Sequence, residues 1–117
     1  MIRCKRVYEA PSEDDGYRVL VDRLWPRGMK KSDLHYDEWP KELAPSNELR
    51  KAFHSETIDF AAFSKLYGQE LEQHQDTALA LARHGENGTL TLLYGAKNID
   101  QNHALVLADF LRHCRDQ

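Results

Sequence analysis

Cations crowd one short stretch of this sequence. Asp22-Arg-Leu-Trp-Pro-Arg-Gly-Met-Lys-Lys31 sets Arg23, Arg27, Lys30 and Lys31 around a proline and a glycine, directly after the apolar run Val19-Leu20-Val21. A guanidinium fork grips phosphate at two points, whereas an ammonium acts as a point charge, so the mixture suits an anion. Gly28 supplies backbone freedom at the turn and Pro26 stiffens it. Asp22 is the one acid in the stretch, and it is either a catalytic carboxylate or an ion-pair partner for Arg23.

A second stretch, Gly95-Ala-Lys-Asn98 followed by Asn102-His103, carries the residues best suited to proton transfer. Histidine is the side chain suited to proton transfer near neutrality, so His103 can serve as acid, base or phosphate donor, with Lys97 supplying charge. The plainer alternative is a histidine that satisfies a backbone carbonyl, with Asn102 a helix-capping helper. Arg50 and His54 stand four residues apart, hence on one face of a helix. Trp39 is either core packing or a lid over a ligand. The six histidines show no paired ligand spacing such as HExxH, so no metal site is expected. No motif points to a particular cofactor.

These residues need elements to hold them. Ile2 to Tyr8 reads as a first strand, and Glu9 to Gly16, with Pro11, Gly16 and consecutive acids, as an exposed loop whose charges are solvated. Tyr17 to Trp25 reads as a second strand. A helix capped by Asp14 or Asp15 is the rival, and the Val-Leu-Val run favours the strand. Ser32 to Pro45 contains two prolines and is expected to wrap over the basic turn as an irregular arm. Ser46 caps a helix over 47–54. Asp59 caps a second helix with Phe60, Phe63, Tyr67 and Leu71 in one stripe, and helix resumes after a break near 73–76 until Gly85 and Gly88.

Thr89 to Tyr94 is the clearest strand, and Asp100 is a plausible cap for an amphipathic helix over 101–112. Strand, crossover helices and strand imply parallel pairing. The expected fold is therefore α/β: a single compact domain over 1–117, with a small, largely parallel sheet flanked by helices. Ligands in open sheets of this kind sit outside the carboxyl ends of the strands. If the second and late strands are neighbours, the basic turn and the Gly95 to His103 segment meet there. The amides at the start of the last helix would then join Arg27 and Lys97 around an anion.

Length and composition fit this reading. The chain has 117 residues, of which 41% are hydrophobic and 30% charged, and it carries a net charge of -3. That balance suits a folded globule and opposes binding of nucleic acid or acidic membrane by bulk charge. Cys4 and Cys114 lack CxxC spacing, and no leader-like stretch precedes them, so reduced thiols and a cytoplasmic location are expected. Nothing approaches the apolar length of a membrane span.

Several motifs carry a resemblance. Tyr17-Arg-Val-Leu-Val-Asp-Arg-Leu-Trp-Pro-Arg-Gly28, Asp37-Glu-Trp39, Ala44-Pro-Ser46 with Glu48-Leu-Arg50, and Leu92-Leu-Tyr-Gly-Ala-Lys-Asn98 with Gln101-Asn-His-Ala-Leu105 resemble the YeaO-like branch of the domain-of-unknown-function family 488. The resemblance covers nearly the whole chain and implies a compact cytosolic α/β domain without an assigned activity. Other branches look as if they end the late strand in Leu-Leu-Cys and open the last helix with Cys-His-Arg. Laid over this chain, those positions fall on Tyr94, Asn102, His103 and Ala104, and only the histidine is retained. The departure speaks against a thiol mechanism or a cysteine-based metal site at this edge, because Cys4 and Cys114 lie elsewhere.

Three functions follow from the residues. The preferred one is an enzyme or binding domain for a phosphorylated small molecule or nucleotide. Its ligand-binding candidates are Arg23, Arg27, Lys30, Trp39, Arg50, Lys97, Asn98 and Asn102, and its catalytic candidates are His103 and Asp22. The second is a nucleic-acid-binding accessory protein, in which Lys5 and the basic turn line a backbone track and Trp25 or Trp39 stacks on bases; the net negative charge opposes it. The third is an interaction module in which Arg23 is locked to Glu13, Asp14 or Asp15. The sequence leaves the ligand, the reaction class and the oligomeric state open.

Overall fold

In the computed structural model, which describes residues 1–116, three strands form one parallel sheet in the order β1-β3-β2. They are β1 (Ile2–Arg6), β2 (Tyr17–Leu20) and β3 (Leu90–Tyr94). β3 lies in the middle, with Ile2 and Tyr17 both in register with Leu90. All five of its residues are buried, which suits its mostly apolar character, and the Thr91 hydroxyl is satisfied by the Asp15 carbonyl. Pairing runs past the strand ends, where the Val7 amide donates to the Tyr94 carbonyl at 2.8 Å and the Val21 amide to Leu93 at 3.0 Å. The carboxyl ends of all three strands therefore share one edge.

Four α-helices follow: α1 (Asn47–His54), α2 (Phe60–Glu72), α3 (Gln75–Ala82) and α4 (His103–Arg115). The first three lie between β2 and β3 and form the crossover that parallel pairing demands. Ser46 caps α1 by accepting the Leu49 amide, and Asp59 caps α2 by accepting the Ala62 amide, as their residue types lead one to expect. The aromatic stripe of α2 is core: Phe63, Tyr67 and Leu71 are buried, and the Tyr67 hydroxyl donates to the Leu43 carbonyl.

The expected start of α4 needs correction. Asp100 is not its cap, because the Asn98 side chain accepts the amides of Asp100 and Gln101 and holds them in a turn. The cap stands two residues later, at Asn102, whose side-chain oxygen accepts the Leu105 amide, and helix begins at His103.

The two faces of the sheet are covered differently. Ile2, Val19, Leu90, Leu92 and Tyr94 pack with buried residues of all four helices. Val7, Leu20 and Leu93 face the other way, and there they meet Leu34 and Trp39 from the irregular arm and Trp25 and Met29 from the basic turn. The arm also shields the open edge of β2, because Glu38 pairs with Val19 as a short parallel bridge.

The acidic loop before β2 is a second correction. Asp14 is exposed, but Asp15 is fully buried. Its carboxylate accepts from Arg3 at 2.7 Å, Lys5 at 3.0 Å, the Ser12 amide at 3.0 Å and the buried Arg18 guanidinium. Burial works against ionisation here. The Ser12 amide, Lys5 and Arg3 outweigh it and hold the carboxyl well below the usual range. Sequence spacing hid this hub, since Arg3 and Lys5 come from β1 rather than from the loop itself.

Candidate functional site

β2 ends at Leu20, and the chain then turns across the carboxyl edge of the sheet. Asp22 sits at the centre of that edge. One carboxylate oxygen accepts the Gly95 amide at 3.0 Å, and the other lies 2.7 Å from Nε2 of His103. Gly95 directly follows β3 and His103 opens α4, so a single carboxylate joins the ends of β2, β3 and α4. The contact is tight: a Cβ on Gly95 would lie 2.9 Å from Asp22 Oδ2 and 3.6 Å from Pro26. The contact engages Nε2 and leaves the other imidazole nitrogen, Nδ1, without a hydrogen-bond partner among the described residues.

From Asp22 the chain crosses the sheet edge. Arg23 stays near α1, donating from Nε to the Pro45 carbonyl at 2.8 Å. Pro26 passes beside Gly95, above β3. Arg27 arrives at the β1 side, where its carbonyl accepts the Tyr8 hydroxyl at 2.7 Å. Gly28, at φ +74, makes the turn that follows, and the Trp25 indole closes it by donating to the Met29 carbonyl at 2.6 Å.

Beneath this crossing turn lies a cavity of about 430 Å³, within the range of small-molecule sites. Five permanent cations line it, Arg6, Arg23, Arg27, Arg50 and Lys97, against one carboxylate, Asp22. His54 and His103 add two imidazoles, and Leu24, Trp25, Phe53 and Phe63 supply apolar wall. Among the described residues no salt bridge joins any of the five cations to an acid. The Nε of Arg50 is buried without a hydrogen-bond partner.

The cavity gathers Asp22, Arg23, Arg27, Arg50, Lys97, Asn102 and His103 from the sequence-derived set. Three others stand apart. Lys30 is exposed outside it, Asn98 builds the turn before α4, and Trp39 supports the site from behind. The Trp39 indole donates to the Asp22 carbonyl at 2.7 Å and packs edge-on against Trp25, with ring centroids 5.6 Å apart. It is a strut that holds the residue bearing the central carboxylate.

Asp22 pairs with His103 and the Gly95 amide rather than with Arg23. Nor is Arg23 tied to the acidic loop, where Asp15 is engaged by Arg3, Lys5 and Arg18. The residues missed were Arg6, Tyr8 and Phe53. Arg6 was within reach of the same argument that placed Lys97, because the last residue of a parallel strand shares the edge of its neighbours.

Nucleophilic chemistry has little to work with. Among the described residues no Cys, Ser or Thr lines the cavity, and no three His, Cys, Asp or Glu side chains gather as a metal site. Cys4 and Cys114 are free thiols packed against the helical core. Burial pushes the Cys4 thiol up to about 11, the reverse of an activated nucleophile. Tyr94 is buried, and burial raises its phenol as well. No helix among the described residues is long and apolar enough to cross a membrane.

Fold and site together define a small parallel α/β domain with a cation-lined cavity at the carboxyl edge of its sheet. The chain belongs to the family described as the inactive DUF488-N3 subclade, whose match runs over residues 1–117. It is 60% identical over 111 residues to the uncharacterised protein YeaO of Escherichia coli K12, covering 95% of this chain and 96% of that one. Uncharacterised proteins of Mycobacterium tuberculosis H37Rv and Mycobacterium bovis are each 40% identical over 111 residues, covering 94% of this chain and 92% of theirs. No solved structure matches. These relationships bear out the YeaO-like resemblance carried by the sequence motifs.

Proposed function

We propose that the protein is a binding domain for a phosphorylated small molecule or nucleotide, held in the cavity at the carboxyl edge of the sheet. The observation that carries this reading is the imbalance of charge inside the cavity. Five cations face one carboxylate, and that carboxylate is already engaged by His103 and the Gly95 amide. Arginines left without acidic partners in a concave, partly apolar site favour a ligand that brings its own negative charge.

Binding is preferred to turnover. The family is described as inactive, and the carboxyl edge carries Tyr94 and Asn102 rather than a thiol. Asp22 and His103 retain the form of an oriented acid/base pair, but no side-chain nucleophile stands with them in the cavity. Their role in this reading is to fix the edge and to offer Nδ1 as a hydrogen-bonding group to the ligand.

The test is a thermal-shift screen against phosphate, nucleotides, short oligonucleotides and divalent metals, repeated on Arg27→Ala and His103→Ala. A ligand that binds only the folded state at a hundred times its Kd stabilises it by about 2.7 kcal/mol. A small phosphorylated compound should raise the melting temperature of the wild type and raise that of both variants less. Equal shifts in all three proteins, or none, refute the proposal. Binding of oligonucleotides alone, weakening steeply with salt, would point to nucleic acid instead.

A further inference from the structure

The cations of the cavity fall into two groups on opposite sides of its central carboxylate. At the β1 end, Arg6 donates from Nε to the Ala96 carbonyl at 2.9 Å, beside Lys97, and its guanidinium lies 4.8 Å from the centre of the Tyr8 ring. Tyr8 in turn holds the Arg27 carbonyl. Arg6, Arg27 and Lys97 thus form one pole. At the β2 end, Arg23 is fixed to the carbonyls of Ala44 and Pro45, just ahead of α1, and α1 contributes Arg50 and His54. These three form the other pole.

Between the poles runs β3, whose end carries Gly95, Asp22 and His103. β1 and β2 are each one strand away from β3, so their ends stand roughly 10 Å apart, two strand spacings. The two groups flank Asp22, whose carboxylate disfavours an anion at the middle position. The lining over that middle is apolar: Leu24, Trp25 and Pro26 belong to the turn that crosses from one pole to the other.

We infer that the ligand of this cavity carries two anionic groups, one for each pole, on an uncharged body that spans the distance between them. The inference rests on the proposed anion-binding role and narrows it from any phosphorylated molecule to a bis-anionic one. Linking two groups that each bind weakly makes the second contact intramolecular, so affinity rises steeply when the spacer matches the site and falls when it is too short or too long. The unpartnered Arg50 Nε belongs to the β2-side pole.

A series of alkane bisphosphonates, from methylene to decane, tests this by calorimetric titration of the wild-type protein, beside alkyl monophosphonates of the same lengths. The expected result is a maximum at an intermediate length, with the best bisphosphonate on the order of a hundredfold tighter than its monophosphonate. Lys97→Gln and Arg50→Gln, taken from opposite poles, should each remove most of that advantage. Bisphosphonates no tighter than monophosphonates, an advantage that grows without a maximum, or sensitivity to one pole alone would overturn the two-pole assignment while leaving anion binding in place. If no phosphonate of either kind binds, both readings fall.

Discussion

Replacing Asp15 by alanine removes the acid that Arg3, Lys5 and Arg18 share. The carboxylate is completely buried, and it accepts from Arg3, Lys5, Arg18 and the Ser12 amide. The side chain of Arg18 is 4% exposed and cannot turn to water, whereas that of Arg3 is 37% exposed and can. The loss should therefore be set mainly by Arg18, with Lys5, 15% exposed, contributing next. Breaking a buried pair by deleting one partner typically costs about 3 to 5 kcal/mol.

For a chain of this size that corresponds to a fall of about 12 to 20 °C in melting temperature. Urea unfolding followed by circular dichroism would give the free energy directly, with Asp14→Ala as the exposed neighbour that should change little. The same hub fixes the direction of the acid response. Because the folded carboxyl titrates well below the unfolded one, its contribution is complete above about pH 4 and is lost progressively as pH falls further. A loss under about 1 kcal/mol for Asp15→Ala, or equal acid sensitivity in both proteins, would refute the hub as a stabilising element.

Three further outcomes follow from particular contacts. Gly95→Ala sets a methyl against Asp22 Oδ2, so it should cost about 1 to 3 kcal/mol in unfolding free energy and weaken anion binding in the same protein. Gly16→Ala should be worse in stability but neutral for anion binding, because at φ +64 its Cβ would fall 2.2 Å from the Thr89 carbonyl oxygen, at the sheet's amino edge away from the cavity; urea midpoints separate the two. Cys4 should react sluggishly with a disulfide reagent at pH 8 in the native protein and quickly once unfolded, since burial keeps its thiol protonated.

How much of this was legible in the chain depended on how local the signal was. Ser46 and Asp59 announced α1 and α2 through side chains that cap amides three residues away, and both helices start where those residues stand. The apolar run at 90–94 fixed the central strand, and the parallel order followed from the helices between it and β2. Asp22 was visible as a lone acid in a basic turn. Its partner was not, because His103 lies 81 residues away and a pairing at that separation leaves no mark in local pattern.

The same limit explains Asp15 and Trp39. Three consecutive acids look solvated until strands from elsewhere bring Arg3, Lys5 and Arg18 to one of them. An indole in a proline-rich arm reads as either core packing or a lid until its N–H is seen on the Asp22 carbonyl. Arg6 was a different case, since its place at the end of β1 was sufficient to put it at the ligand edge once parallel pairing was accepted.

The central claim is that the cavity under the crossing turn binds an anion, and amide chemical-shift mapping tests it most directly. Titrating ¹⁵N-labelled protein with pyrophosphate should move the amides of Gly95, Lys97, Arg27 and His103 together, with one saturating dissociation constant. Lys30 and Lys31, exposed outside the cavity, should follow only weakly. Shifts that gather at Lys30 and Lys31, or that scatter over the surface without saturating, would contradict the account.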